Sequence, residues 1–335
     1  MNQPRPTKSH VARSRAIQQQ TGATFHVATR VLPDRARHPT YVLYAFFRIA
    51  DEVVDDPGDA TPAEQRDRLE TIRATAKGER DTDDPVLLAT NRLREEYGMD
   101  DAEIDVFIDS MLTDVETNRY ETYEDLEAYL RGSSVAVAEM LIDVMAPELP
   151  AAARPHAKAL AEAFQLTNFI RDVSEDIDRY DRIYLPIATF EQYGASEREV
   201  REKVFTPGVA AAVLHELERA EERYRTGVEG IPYLPEDVQF GVLLSAVLYA
   251  EHHRLIRRHG YDVLSNHPEL SWRDRLRAVA RTALHWQITK DPIVTFERAS
   301  AIPKEGKPAG SSSTTSGPLG PVSKSVADTL LRWSP

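Results

Sequence analysis

The chain has 335 residues, 41% hydrophobic and 28% charged, enough for one large hydrophobic core or two small ones. It contains no cysteine, which excludes disulfides and thiolate metal sites. Its net charge of −13, with Arg far commoner than Lys, opposes nucleic-acid binding and has the look of a halophilic composition.

No run approaches the roughly 18 apolar residues of a membrane-spanning helix. The first 30 residues hold no acid and several Arg and Lys, but no apolar h-region, so a secretory signal is not expected. A transit peptide is the minor reading there and a flexible start to the domain the major one. Residues 1–15 read as disordered. Thr21-Gly-Ala-Thr24-Phe25-His26 opens a segment that runs to Leu32-Pro33.

Pro39-Thr40 is expected to start the first long helix, with Thr40 as cap. Pro57-Gly58 ends it after Asp56. Within it lies Tyr44-Ala-Phe-Phe-Arg48-Ile-Ala-Asp51-Glu52-Val-Val-Asp55. At 100° per residue, Tyr44, Arg48, Asp51 and Asp55 share an arc of roughly 60°. Phe47, Ile49 and Val54 flank that stripe and point to burial, where like charges are costly unless a cation joins them.

Amphipathic helices are expected near 62–76, 84–97 and 101–117. The last carries Asp101, Asp105 and Asp109 at the same four-residue spacing, with no Arg or Tyr in phase. It reads as a solvated face and shows how little that spacing means alone. Asp114 and Asn118-Arg119-Tyr120 are harder to set aside. A long helix from Tyr123 to about Met145 has small residues midway, Gly132-Ser133-Ser134-Val-Ala-Val137-Ala138. Close packing is the default reading of that run and room for a ligand the alternative. Pro147 and Pro150 break the chain.

The helix from about 152 to 177 contains Gln165, Asn168, Asp172 and Asp176 within an arc of roughly 80°. Glu175 lies on the same side, Phe164 and Phe169 border it, and Arg171 stands beside Asp172. This is a second acidic stripe. An ordered-looking loop, Ile177 to Pro186, follows. Further helices are expected near 195–204, 208–228, 235–258 and 271–289. Gly260 is the stop for the third of these. Val242 to Ala250 reads as core, His252 and His253 as packed or solvent-facing, and the Arg273, Arg275, Arg277 and Arg281 group as a solvated face. No segment alternates with period two, so almost no sheet is expected. From about residue 300 the composition turns to Gly, Ser, Pro and Thr, the pattern of a disordered tail.

Two acidic stripes facing each other place five or six oxygen donors around a cavity. Hard oxygen ligands with open positions suit Mg²⁺, with Mn²⁺ as the alternative ion. Neither stripe contains His, which argues against zinc or a Glu-x-x-His di-iron site. Arg48 and Arg171 match phosphate oxygens. Such a site binds a diphosphate and neutralises it as it leaves. An allylic leaving group would leave a carbocation, which calls for a dry cavity with aromatic faces.

The paired motifs Asp51-x-x-x-Asp55 and Asn168-x-x-Arg171-Asp172-x-x-x-Asp176 resemble those of the phytoene/squalene synthase family. Tyr44-Ala-Phe-Phe-Arg48, Gln165, Arg182-Ile-Tyr-Leu-Pro186 and Gly260-Tyr-Asp-Val-Leu264 strengthen the resemblance, which covers roughly residues 20 to 290. It implies an all-α isoprenoid synthase fold over 16–299, with tails at 1–15 and 300–335. It implies head-to-head condensation of two prenyl diphosphates. It implies a metal role for Asp51, Asp55, Asn168, Asp172 and Asp176, of which the four aspartates are catalytic. Tyr44, Arg48, Arg171 and Tyr249 are implied diphosphate contacts. Gln165 and the segment with Ser133, Val137 and Ala138 are implied to line the prenyl cavity. Two segments depart from the family pattern. Ala23 precedes Thr24-Phe25 where a basic or hydroxyl residue is usual, and Ser133 to Ala138 replaces a Val-Ala-Gly-x-Val-Gly run.

Three functions follow from the resemblance. The first is a phytoene synthase using geranylgeranyl diphosphate, which needs no NADPH. The second is a squalene or dehydrosqualene synthase using farnesyl diphosphate. The third is a non-catalytic assembly factor, opposed by the intact aspartates. A cytoplasmic protein is expected, with peripheral membrane contact through its greasy product.

Overall fold

The computed structural model describes residues 23–304, with side chains from His26 onward. The expected disordered start and nearly all of the expected tail lie outside the described residues. So do the side chains of Thr24 and Phe25.

The described chain is all helical. Its first half comprises α1 (Ala23–Thr29), α2 (Asp34–Asp55), α3 (Pro62–Ala76), α4 (Pro85–Tyr97), α5 (Asp101–Asp114), α6 (Tyr123–Leu130), a π-helical stretch (Arg131–Ala136) and α7 (Val137–Met145). Its second half comprises α8 (Arg154–Arg171), α9 (Val173–Tyr180), α10 (Ile187–Gln192), α11 (Glu197–Arg201), α12 (Pro207–Val228), α13 (Glu236–Arg258), α14 (Trp272–Thr289) and α15 (Pro292–Ala299). An isolated parallel bridge between Arg119 and Ile183 is the only strand-type pairing among the described residues.

Local chemistry sets most helix starts. Thr61 with Glu64, Thr122 with Asp125, Ser196 with Glu199 and Ser271 with Asp274 form capping boxes, each satisfying orphan backbone N–H groups. Asp84 caps α4, and Pro62, Pro85, Pro207 and Pro292 occupy first helical positions, where a missing N–H is harmless. The expected helices near 62–76, 84–97, 208–228, 235–258 and 271–289 are therefore present nearly to the residue.

Four expectations need correction. Helix α2 starts at Asp34, five residues before Pro39. Thr40 is not a cap: it is buried, and its hydroxyl donates to the Ala36 carbonyl at 2.8 Å. The helix tolerates Pro39 near its start, where one backbone bond is lost and packing of the apolar face compensates. Helix α5 ends at Asp114 rather than 117. The helix expected over 152–177 breaks at Asp172, whose φ of −99° and ψ of 8° leave the helical range. The helix expected near 195–204 is only the short α11. Helices α1, α10 and α15 carried too little periodic signal to be expected.

Among the described residues the core comprises one cluster around α2, α5 and α7, two around α8, α12 and α13, and a small one of Ile142, Ala146, Leu149 and Ala153. Two glycines set close approaches. A Cβ on Gly227 of α12 would lie 2.7 Å from the Leu160 backbone of α8, so these helices pack backbone to backbone. A Cβ on Gly132 would lie 2.5 Å from the Val106 carbonyl of α5, which fixes the π-helical stretch against that helix. The extra residue of the π turn re-aims the side chains that follow it. Ser133 and Ser134 within that turn, and Val137 and Ala138 just after it, line a central cavity.

Candidate active site

The cavity has a volume of about 1060 Å³, at the upper end for ligand pockets. Every site residue put forward from sequence lines it: Asp51, Asp55, Asp172, Asp176, Asn168, Tyr44, Arg48, Arg171, Gln165, Tyr249, Ser133, Val137 and Ala138. One end is charged. The rest is apolar, running past Ala161 and Ala157 to Leu149 and Leu234. Ala157 precedes Asp172 by fifteen residues, about 22 Å at 1.5 Å per helical residue.

The first stripe brings Asp51 and Asp55 to the charged end from α2. Arg48 donates from Nη1 to Asp51 Oδ2 at 3.1 Å, the i,i+3 pair that helical spacing dictates. The second stripe comes from the end of α8 and the start of α9. Arg171 donates from Nε to Asp172 Oδ1 at 2.6 Å and also from Nη2 to Oδ2, a fork-to-carboxylate pair. Although the helix breaks there, the backbone bonds Asp172 N to Asn168 O (2.9 Å) and Asp176 N to Asp172 O (2.8 Å) carry the register through. The stripe therefore stays on one side. Asn168 Nδ2 reaches Gln165 Oε1 at 3.4 Å.

Both stripes line the same cavity, near enough for the charge of Asp55 to act on Asp176. Burial pushes Asp51 up to about 7, with Asp55 and Asp114 adding repulsion and Arg48 opposing. Burial, then the charges of Asp172, Asp55 and Glu175, push Asp176 up to about 8. Asp55 is also raised by burial, against the pull of Arg182 and Arg48. Carboxylates desolvated in a group of this kind require cations to ionise together.

Asp114 and Arg182 complete this end. Asp114, only 7% exposed, accepts from the Tyr129 hydroxyl at 2.6 Å and is pushed up by burial to about 7. Arg182, 6% exposed, reaches Asp55 Oδ1 at 3.3 Å and donates to the Asp114 carbonyl at 2.8 Å and to the Tyr184 hydroxyl at 3.3 Å. It thus ties α2, α5 and the post-α9 loop together. Sequence reading marked both residues without giving either a role. The signal was there: an ionisable residue among apolar neighbours and an ordered-looking loop. By contrast, Arg119 is a surface clamp, pairing with Glu197 (2.6 Å) and Asp181 (2.9 Å). The Asp101, Asp105 and Asp109 face is paired with Arg94, Arg73 and Lys77 rather than simply solvated, and lies outside the cavity.

The walls next to the charges are aromatic. Phe169 stacks on Tyr184 at 4.1 Å and Phe164 on Tyr249 at 4.8 Å, and all four border the cavity. Burial raises the Tyr249 phenol to about 12, so it stays a hydroxyl donor. The Ser133 hydroxyl is buried without a partner.

Three cavity residues were not expected to belong to the site. His252, on α13, is fully packed as expected of core, yet it also borders the cavity, and burial lowers it to about 3. His267 and Arg275 reach the charged end from beyond α13. For Arg275 this corrects the reading of a purely solvated face. For His267 it adds an imidazole beside the second stripe, although neither stripe itself contains one. Residues so distant in sequence have no periodic signature relating them to the stripes.

Helices enclosing an apolar cavity, with paired carboxylates and arginines at one end, form here the isoprenoid synthase fold. A crystal structure of a dehydrosqualene synthase in complex with ligand matches it with a TM-score of 0.74 and 26% identity, over 84% of this chain and 98% of that one. A family profile described as squalene/phytoene synthase matches residues 18–276. The 15-cis-phytoene synthase of Synechococcus elongatus is 32% identical over 74% of this chain and 84% of its own. The phytoene synthase of Rhodobacter capsulatus is 30% identical over 78% and 77%. The chain belongs to the squalene/phytoene synthase family and is by that membership a prenyltransferase.

Proposed function

We propose that the protein condenses two geranylgeranyl diphosphates head to head to give phytoene, with Mg²⁺ as its ion and no NADPH. The observation that carries this reading is the pair of facing acidic stripes at the mouth of a long apolar cavity. The relatives named phytoene synthase support it.

The donor set fits a divalent cation. It consists of oxygens that burial keeps from ionising together, and it leaves positions for phosphate oxygens. Asp51 and Asp55 on one side and Asn168, Asp172 and Asp176 on the other would hold it. When bound, the cations neutralise diphosphate and ease its departure. Arg48 and Arg171 contact the phosphate oxygens, with Tyr44 and Tyr249 beside them. The C–O bond of one allylic diphosphate breaks, and the cation at C1 attacks the 2,3-double bond of the second molecule. Loss of a proton closes the cyclopropylcarbinyl diphosphate. A second C–O cleavage, rearrangement and proton loss give phytoene. The stacked pairs Phe169–Tyr184 and Phe164–Tyr249 border the cavity and supply aromatic surface for the cationic carbons. Gln165, Ser133, Val137 and Ala138 shape the wall for the prenyl chains.

The runner-up is a squalene or dehydrosqualene synthase using farnesyl diphosphate, favoured by the similarity to the dehydrosqualene synthase structure. Incubation with each diphosphate and Mg²⁺, with and without NADPH, decides between them. Phytoene from the C20 substrate is expected. Consumption of farnesyl diphosphate alone would overturn the substrate assignment, and consumption of neither would favour an assembly factor.

Peripheral membrane contact is also proposed, through α14. No described helix is long and apolar enough to cross a membrane. Yet α14 exposes Trp272 (65%), Leu276, Leu284 and Ile288 (66%) beside Arg273 and Arg277, a basic apolar face on an acidic protein. Flotation with anionic vesicles, and its loss in Trp272→Ser/Ile288→Ser, tests this.

A further inference from the structure

The loop after α13 carries His267 to the second acidic stripe. His267 Nδ1 lies 4.0 Å from Asp172 Oδ1, and Nε2 lies 3.7 Å from Glu175 Oε2 and 3.4 Å from Glu269 Oε1. Each separation exceeds an ordinary hydrogen bond. Asp172, Glu175 and His267 each offer a ligand atom, and these atoms lie within 4.8 Å of one another. Ligands at about 2.1–2.3 Å from one ion stand about 3–4.5 Å apart, so modest side-chain adjustment closes the trio on a cation.

A second feature points the same way. His252 Nδ1 lies 2.9 Å from the carbonyl of Pro268, the residue after His267. A carbonyl only accepts, so Nδ1 carries the proton and Nε2 the lone pair. That Nε2 is buried without a partner, in a side chain 3% exposed that borders the same cavity. An acceptor sealed into a wall is out of place in an apolar lining. After burial, the charge that acts most on this imidazole is the Arg171 guanidinium, which bonds Asp172, so the acceptor stands in the wall beside the second stripe. The same residue pins the loop that presents His267.

We propose that His267 supplies a nitrogen ligand, alongside Asp172 and Glu175, to a divalent cation in the second acidic stripe. An imidazole nitrogen makes this position hold a first-row transition ion such as Mn²⁺ more tightly than an all-oxygen set would, while Mg²⁺ remains the ion of the proposed reaction. This rests on the reading that the stripe holds a cation, and not on which prenyl chain is used.

Mn²⁺ is itself the probe. In the full-length protein loaded with Mn²⁺ and free of substrate, electron spin-echo modulation shows histidine nitrogen bound to the ion. In His267→Gln that modulation disappears and Mn²⁺ affinity falls about tenfold or more, at least the effect of losing an outer-sphere partner. If His267 is instead a protonated counter-ion to the carboxylates, His267→Gln removes a competing charge. Mn²⁺ affinity then rises, which overturns the proposal. Bound Mn²⁺ without nitrogen modulation in the unaltered protein overturns it too, while leaving the metal reading of the aspartates intact. Modulation that persists in His267→Gln assigns the nitrogen elsewhere. Failure to take up Mn²⁺ at all overturns both readings.

Discussion

Arg182 is the most informative residue to remove. It is buried, and its guanidinium serves Asp55, the Asp114 carbonyl and the Tyr184 hydroxyl at once. It also lies 5.2 Å over the Tyr180 ring. Arg182→Met keeps much of the volume and deletes the charge. The orphaned Asp114 carbonyl costs about 1–3 kcal/mol. Breaking a buried pair by removing one partner costs about 3–5 kcal/mol, because the other charge stays behind. The two overlap, since protonation of Asp55 or Asp114 relieves part of the second. A loss of about 3–5 kcal/mol is therefore expected from urea unfolding followed by circular dichroism, in EDTA at pH 8. Adding Asp114→Asn to Arg182→Met should return part of that loss, since the uncompensated carboxylate is gone. Coupled neighbours show interaction energies of about 0.5–3 kcal/mol. A loss under about 1 kcal/mol, or an Asp114→Asn change that only adds damage, would refute the idea that Arg182 neutralises this end of the cavity.

Other outcomes follow from the same geometry. Asp51→Asn or Asp172→Asn is expected to lower turnover by about 10²-fold or more while the helical spectrum persists; an active double variant would sink the metal assignment. Asp176, raised to about 8, binds more protons folded than unfolded between about pH 4 and pH 8. Metal-free stability should therefore fall as pH rises through that window. Asp176→Asn should melt higher than the unaltered protein at pH 8.5 in EDTA, with the gain shrinking towards pH 4. Equal melting at pH 8.5 would count against burial as the cause. Gly227→Ala puts a methyl 2.7 Å from the Leu160 backbone and should cost about 1–3 kcal/mol in urea unfolding, since neither helix can yield freely.

Much of the candidate site was legible because its parts are local. Tyr44, Arg48, Asp51 and Asp55 are in phase on one helix, and Gln165, Asn168, Asp172 and Asp176 on another, so 3.6-residue periodicity alone put each set on one face. The control at Asp101, Asp105 and Asp109 lies outside the cavity, as the lack of Arg or Tyr in line suggested, but it is paired with Arg73, Lys77 and Arg94 and not the solvated face expected. The break at Asp172 was not legible. It depends on the ψ of a single residue, and the surrounding helix formers gave no sign of it.

The sequence by itself determined that this is a helical protein, where most helices start, and which side chains share a face. Those properties follow from caps, proline positions and apolar spacing within a turn or two. The tertiary structure decided which faces meet. Only packing brings Arg182 to Asp55 across 127 residues, buries Asp114 under Tyr129, and delivers His267 to Asp172 and Glu175. The raised aspartates are of the same origin. A carboxylate acquires its environment from every element packed around it, and desolvation depends on distance in space, which separation along the chain does not record.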